Sequence, residues 1–465
     1  MRRVMSIALL LLACPTAILH AQFERFGLAG RTVYALAIYG GRLYAATDSG
    51  VYIRPYGSAD TLWKPAGLQN KIVRAVYPHN SGPISYAVTA GIQPRTGDPD
   101  STLIYCSCSS DTAWTPMVEG IDRSEITLVT SIDGFPSPEI CGETFAGGQG
   151  KLYRRNLTGG WEKAYDIGVG ALNVVRVTLV PQAVWIGGET AIFAPFIARS
   201  DDKGKSWATS FPPMSGDNAC NAIAFDPLDT SVVYAGMEGS VIVSKDGGTS
   251  WSDAGLSGTP FYFYALAVDD LHRTLFAGGS TSSGEFGLYS STLGSGSWAP
   301  IPPSIPAAGI RCLLIVPTAI PEQNDLYIGT VGTGILRYSI PLTSVRNEVT
   351  PDSVVLLQSY PNPFNPKTLI SFTLPALSAY PPSESNTGRR EVEGPVASDV
   401  RLTVYDLLGR EIIRLVDEPK PPGSYTVQFD GSSLAGGCYF CRLEVSAKFR
   451  SGQKCTQTRM LVLMK

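Results

Sequence analysis

The sequence predicts an all-β protein: a seven-bladed β-propeller closed by its own N-terminal strand, with a smaller strand-rich module behind it. Three observations predict this. Six tryptophans, Trp63, Trp114, Trp161, Trp207, Trp251 and Trp298, are separated by 51, 47, 46, 44 and 47 positions. A repeat of that length carried by strands corresponds to one four-stranded blade. An aromatic residue followed by small ones recurs seven times: LYAAT at Tyr44, SYAVT at Tyr86, TFAGG at Phe145, VWIGG at Trp185, VYAGM at Tyr234, LFAGG at Phe276 and LYIGT at Tyr327. That series gives Trp185, which falls outside the tryptophan spacing, a place. Finally, 48 Gly, 34 Pro and only 17% charged residues suit many short strands joined by turns, and helical periodicity is nearly absent.

Each unit contains an apolar run such as YALAI (Tyr34 to Ile38), NAIAF (Asn221 to Phe225) or YALAV (Tyr264 to Val268). Runs apolar on both faces fit innermost strands, covered on each side by neighbouring blades. Seven second strands against six outer tryptophans leave one blade an outer strand short. The chain start fills the gap. FERFGLAG, from Phe23, parallels WKPAGLQN from Trp63 and WSDAGLSG from Trp251, with Gly27-Leu28 matching Gly67-Leu68 and Gly255-Leu256. Phe23 to Leu28 is therefore predicted as the outer strand of the seventh blade, whose other strands come from about Ile310 to Ile340. Pairing both ends in one sheet leaves no terminal blade free to peel away. The propeller so defined covers 22–341.

Two segments, SDDKGKSWA from Ser200 and SKDGGTSWSDAGL from Ser244, share the pattern Ser-x-Asp-x-Gly-x-Ser-Trp. The Asp can accept from the backbone amides of its own turn and the Gly supplies a permissive dihedral. The Trp buries a large apolar face between blades. A metal-binding or catalytic Asp would need its partners to converge, and turns in adjacent blades project radially apart. Four degraded copies, GSADTLW, CSSDTAW, NLTGGW and LGSGSW, keep the Trp and lose parts of the turn, as a folding device tolerates. Ser200, Asp202, Gly204 and Trp207, and Ser244, Asp246, Gly248 and Trp251, are thus read as structural. The pattern resembles the Asp-box (BNR-like) propellers of the sialidase and sortilin-like superfamily, which also includes glycan hydrolases and photosystem-assembly factors. That resemblance implies that each box forms the hairpin between the third and fourth strands of a blade.

The first residues, MRRVMSIALLLLACPTAILHAQF, combine Arg2 and Arg3, an apolar run and a small-residue cut site before Gln22. They are read as a secretory signal peptide over 1–21; lipoprotein processing at Cys14 is the alternative. No other run reaches the length of a membrane helix. Eight cysteines follow the signal peptide, at spacings that define no disulfide framework. Cys438 and Cys441, three apart on a predicted strand, face opposite ways and should not bond each other. Small buried hydrophobes are the expected role for these cysteines.

After a linker at 342–355 comes LLQSYPNPFNPKTLISFTLP from Leu356, then VRLTVYDLLGREIIRLVD, GSYTVQFDGSSLAGGCYFCRLEV and TRMLVLMK. Alternation in Leu402 and Val404, and in Tyr425, Val427 and Phe429, predicts strands with one buried face. The region 356–465 resembles the type A C-terminal sorting domain of type IX secretion. The resemblance is carried by Tyr360-Pro361-Asn362-Pro363-Phe364-Asn365-Pro366, by Val404-Tyr405-Asp406 with Gly409-Arg410, and by Lys465. It implies a small Ig-like β-sandwich, recognition by the type IX secretion machinery and delivery to the cell surface or medium. Residues 378–398 enlarge a connection that is short in the family, and their composition predicts a disordered loop.

Function is less legible. A formal net charge of -3 gives no basic field for nucleic acid. His79 and His272 each follow an innermost strand and are expected to face solvent. No catalytic triad, metal set or phosphate loop can be assembled, so no catalytic residue, metal or cofactor is assigned. A sialidase would need an Arg-Ile-Pro element before the first box, and FAPFIARS lacks it. Acidic pairs for glycoside hydrolysis could come from Glu143, Glu189, Asp269 and Glu285, with nothing to select among them. Three loops joining second and third strands are enlarged, at Thr89 to Ser101, Gly187 to Ala198 and Gly278 to Gly287. Their Arg95, Phe193, Phe196, Glu285 and Phe286 form the candidate binding face for an unidentified protein or glycan. The sequence therefore predicts a binding module, with a glycan-acting hydrolase and an envelope assembly or adhesion factor as alternatives.

Overall fold

A computed structural model describes residues 23–56, 62–80, 86–98, 100–108, 112–135, 143–155, 159–179, 181–212, 219–318 and 323–341 of the propeller region. Beyond it, the structure describes 355–356, 359, 362, 364–374, 398–407, 409–421, 423–446 and 454–463. The predicted signal peptide, the linker up to 354 and the enlarged loop up to 397 lie outside the described residues.

Seven four-stranded antiparallel sheets follow one another along the chain. Their first strands are Val33–Tyr39, Ile72–Asn80, Ser131–Phe135, Gly170–Leu179, Cys220–Phe225, Tyr262–Asp269 and Ile310–Pro317. Each of these contacts the first strand of the next blade, and the seventh contacts the first, so they close a ring about a central axis. The chain is an all-β propeller.

The seventh sheet is completed by the chain start. Phe23–Gly27 pairs antiparallel with Ile335–Ser339, placing Phe23 opposite Tyr338 and Arg25 opposite Leu336. Phe23 is buried against Tyr338 and Phe286, with ring centroids at 4.9 and 6.0 Å. Burying a phenylalanine this fully is worth about 2–3 kcal/mol before the entropy of ordering the strand.

Five of the six outer tryptophans tie their blade to the one before it, whereas the buried Trp161 Nε1 has no hydrogen-bond partner. Trp63 Nε1 donates to the Phe26 carbonyl at 2.9 Å, Trp114 to Ala66 at 2.6 Å, Trp207 to Ala164 at 2.8 Å and Trp298 to Ala254 at 2.8 Å. Trp251 donates to Ser210 Oγ at 3.1 Å. An indole thus buries its face and satisfies its only donor in one placement. The repeated Gly-Leu step has a physical reason here. Gly67, at φ +98°, would place a Cβ 2.4 Å from Trp114 Nε1, so no side chain fits.

At Ser200–Trp207, Asp202 Oδ1 accepts from the backbone amides of Lys205 and Ser206 at 3.0 and 2.8 Å. The Ser200 hydroxyl accepts the Gly204 amide at 2.7 Å. At Ser244–Trp251, Asp246 Oδ1 accepts the Thr249 and Ser250 amides at 3.1 and 2.8 Å, and Ser244 accepts Gly248. Hydrogen bonds from the Ser206 and Ser250 hydroxyls, then from backbone amides, hold both carboxyls below the usual range. Gly248, at φ +92°, lies against the Trp185 ring of the preceding blade, where a Cβ would come within 2.7 Å.

Expectations for the histidines are corrected. His79 is buried within the first strand of the second blade, bonded to Thr89 Oγ1 at 3.0 Å and stacked on Tyr77. His272 is partly buried, its Nδ1 2.5 Å from Oδ2 of the buried Asp269. Both serve the fold.

Behind the propeller, Val355–Leu356, Lys367–Leu374 and Gly423–Asp430 form one sheet, and Glu411–Lys420, Ser398–Tyr405, Gly437–Ser446 and Lys454–Leu463 another. Phe372, Phe429, Leu402, Val404, Leu443 and Leu461 from both sheets share one core, making a two-layer sandwich. Cys441 is buried in that core and Cys438 is not. Cys220, Cys312, Cys438, Cys441 and Cys455 are free thiols.

Candidate binding site

A propeller's first strand leaves the face to which its second strand returns, so inner-strand starts and second-to-third hairpins share one face. The channel opens there. Six of the seven inner strands carry a register shift near their start, between Val33 and Ala35, Val73 and Ala75, Leu172 and Val174, Cys220 and Ala222, Phe263 and Ala265, and Ile310 and Cys312. The residue skipped by the ladder is Tyr34, Arg74, Asn173, Asn221, Tyr264 or Arg311. A bulge re-aims its extra side chain, and all six line the mouth of the channel, a cavity of about 220 Å³. Blade three has no bulge in its inner strand and contributes Thr130 and Ser131.

The six side chains divide by blade. Tyr264, Arg311, Tyr34 and Arg74 come from blades six, seven, one and two; Asn173 and Asn221 come from blades four and five. The Arg74 guanidinium lies 4.3 Å from the Tyr34 ring centroid, and Arg311 lies 4.3 Å from that of Tyr264. Such stacking holds the planar fork while leaving its edge free to bond. Burial is the largest influence on Arg74 and disfavours its charge; Tyr34 offsets this, and nearby Arg311 adds to it. Asn173 Nδ2 donates to Asn221 Oδ1 at 2.9 Å. Asn221 Nδ2 and Arg311 Nε are buried atoms without a hydrogen-bond partner. Orphaned donors of this kind are costly to leave unmade.

Deeper in the channel a second cavity, about 350 Å³, is lined by Arg176, Asp133, Tyr77 and apolar inner-strand residues. Burial raises the Asp133 carboxyl pKa, while Arg176 and the Gly134 and Val177 amides lower it.

The residues predicted for the face have unequal fates. Phe193 is exposed at 65%, at the tip of the blade-four hairpin with φ +58°, beside exposed Ile192. Glu285 is exposed on the blade-six hairpin. Arg95 spans blades, donating through Nε to the Asn70 carbonyl at 2.8 Å and through Nη2 to that of Asp48 at 2.5 Å, so much of its fork is engaged. Phe196 is fully buried, stacked near Tyr165 of the preceding blade, and cannot meet a ligand. Phe286 packs edge-on against Phe23 in the core between blades six and seven. Of the acidic candidates, Glu143 pairs with Lys203 at 2.8 Å, and Asp269 accepts from Asn324 at 2.8 Å as well as holding His272. Glu189 is raised by burial first and by Glu238 second.

Sequence reasoning missed the channel ring. Its signal was present: an apolar residue, then Tyr, Arg or Asn, then a small or branched apolar residue, near the start of six of the seven inner strands.

No family model and no curated protein sequence matches the chain. Among solved structures it is similar to the WD40 β-propeller domain of Doa1, at 12% identity over 68% of this chain and 98% of that one, with a TM-score of 0.46. It is also similar to the extracellular domain of a hybrid two-component system from B. thetaiotaomicron, at 11% identity over 95% and 57% of the two chains, TM-score 0.47. An ancestral GH74 enzyme matches at 12% identity over 92% and 62%, TM-score 0.43. The propeller assignment rests on the strand order itself.

Proposed function

We propose that this chain is an exported, surface-delivered propeller that binds a protein or glycan ligand at the channel mouth. The observation that carries the reading is the repeated bulge. Six blades spend a ladder position to aim Tyr, Arg or Asn at one cavity, and two buried donors there lack partners. Bulges next to functional sites re-aim side chains in this way. Exposed Phe193 and Ile192 on the same face supply apolar area for a larger ligand to cover.

Delivery is assigned to the region 356–465 on the strength of the YPNPFNP, VYDLLGR and terminal segments, with the basic and apolar pattern of 1–21 as the export signal. The two Ser-x-Asp-x-Gly-x-Ser-Trp turns are structural Asp-boxes in this reading, since their carboxylates are used by their own loops.

The test is binding of the full chain to arrayed glycans and envelope proteins. Saturable binding that Arg311→Gln and Asn221→Ala both weaken supports the reading; binding indifferent to both removes the mouth from it. A glycan-acting hydrolase is the second reading, favoured by Glu189, whose raised carboxyl suits a general acid. Turnover of fluorogenic glycosides that Glu189→Gln abolishes would select it. For delivery, a chain lacking 356–465 should remain in the periplasm of a type IX-competent host.

A further inference from the structure

We infer that the channel mouth is a clamp for a dianionic phosphoryl group, that of a phosphate monoester or of free phosphate, gripped by Arg74 and Arg311. The inference rests on the mouth being the recognition site and names what that site takes.

Charge is the first argument. Three guanidiniums, Arg74, Arg176 and Arg311, line the mouth, and none of the described residues lining it is acidic. The channel's carboxylate is Asp133, in the deeper cavity. Three positive groups against one carboxylate leave at least two charges uncompensated, and a phosphate monoester near neutral pH carries about -1.5 to -2. A monocarboxylate would cancel only one.

Geometry is the second. Arg74 and Arg311 are each stacked on a tyrosine at 4.3 Å; Arg74 also bonds the Tyr34 side chain, and with five N–H donors a guanidinium keeps others for the two-pronged contact it makes with phosphate oxygens. Arg311 Nε already lacks a partner inside the protein. Arg311 also disfavours the charge on Arg74, and a dianion between them relieves that repulsion.

The opposite arc says what else the ligand carries. Thr130, Asn173 and Asn221 are neutral; the Thr130 hydroxyl, whose hydrogen goes to the Gly147 or Leu172 carbonyl, can still accept, and Asn221 Nδ2 is unsatisfied. They suit hydroxyls on the body of an ester. A cavity of about 220 Å³ holds roughly seven waters' worth of ligand, at about 30 Å³ each. That is the scale of a small phosphorylated molecule or of one phosphorylated unit of a longer chain.

The test uses the full chain and calorimetric titration with glucose 6-phosphate, inorganic phosphate, glucuronate and glucose. Glucose 6-phosphate should bind saturably, glucuronate at least tenfold more weakly and glucose not at all. Inorganic phosphate matching glucose 6-phosphate would support the clamp with the free ion as its source; weaker phosphate would support it with the ester as source. Arg311→Gln and Arg74→Lys should each weaken binding at least tenfold while the melting temperature holds; Arg74→Lys keeps the charge and removes the fork, so it reports the geometry even if Arg311→Gln disturbs folding. Between pH 7 and 5 affinity should fall as the ester takes up its second proton, near pH 6. The protein groups lining that site are the three arginines, Tyr34, Tyr264 and Cys312, none with an ordinary pKa in this window; Asp133, facing Arg176 from the deeper cavity, is raised by burial, so the fall in affinity must persist in Asp133→Asn. Glucuronate binding as tightly as the ester, flat pH dependence, or indifference to both arginine variants overturns the inference. If the arrays reveal a mouth-dependent ligand while all phosphates fail, this inference falls and the proposed function stands.

Discussion

The outer rim and the channel wall of this propeller use repetition in opposite ways. At the rim the side chain repeats: a tryptophan recurs in blades one to six, and in four of them it donates to a backbone carbonyl of the preceding blade, whatever the turn before it looks like. At the channel wall the backbone repeats and the side chain does not. The same bulge recurs in six inner strands, yet it presents Tyr, Arg or Asn. Uniform residues at the rim make equal joints, as ring closure needs. Varied residues at the wall make an asymmetric cavity, as recognition needs.

If the rim carries stability and the wall carries recognition, substitutions should separate the two. The largest effect should come from deleting residues 22–30, which strips blade seven of its outer strand, uncovers Tyr338 and Phe286 and removes the carbonyl partner of Trp63. The melting temperature should fall by about 10 °C or more; an unchanged thermal melt would break the closure. Next comes Gly67→Ala at a single rim joint, where the added Cβ meets Trp114 and the positive φ strains alanine. A loss of about 2 kcal/mol by denaturant unfolding is expected.

A smaller and pH-dependent effect is expected from Asp246→Asn. Its carboxyl is held down to about 2 by the Ser250 hydroxyl and the turn amides, below the 3.8 of an unperturbed aspartate. A depressed folded-state pKa contributes stability fully above the unfolded value and loses it as pH falls through the folded one. The wild-type advantage in melting temperature should therefore be present above pH 4 and fade toward pH 2; a pH-independent difference would assign the loss to packing. The smallest stability effect belongs to the wall. Asn221→Ala removes an orphaned Nδ2 together with the Oδ1 that accepts from Asn173, so unfolding should change by no more than about 1 kcal/mol while ligand binding weakens. A large destabilisation there would make the ring part of the framework and sink the contrast.

Legibility in the sequence follows the same division. The rim was readable because one tryptophan per blade marks the period, and because the Gly27-Leu28 match at the chain start could be compared with Gly67-Leu68. The wall was not, because a polar residue inside YALAI or NAIAF looks like ordinary alternation until the ladder shows that it has been skipped. Phe196 and Phe286 misled for a related reason. Both sit in or beside enlarged hairpins, but strand pairing turns Phe196 toward Tyr165 and Phe286 toward Phe23. His79 looked like a turn residue, yet the inner strand runs through it to Asn80 and buries it.

By itself, the sequence determined an all-β chain of seven blades closed by its first strand. Periodic tryptophans, aromatic–small steps and turn glycines are local signals whose meaning does not depend on distant residues. Only the tertiary structure decided which side chains face one another at the axis. Arg74 and Arg311 are more than two hundred positions apart, and nothing in their neighbourhoods says that a closed ring of seven sheets will bring two like charges into one half-buried cavity.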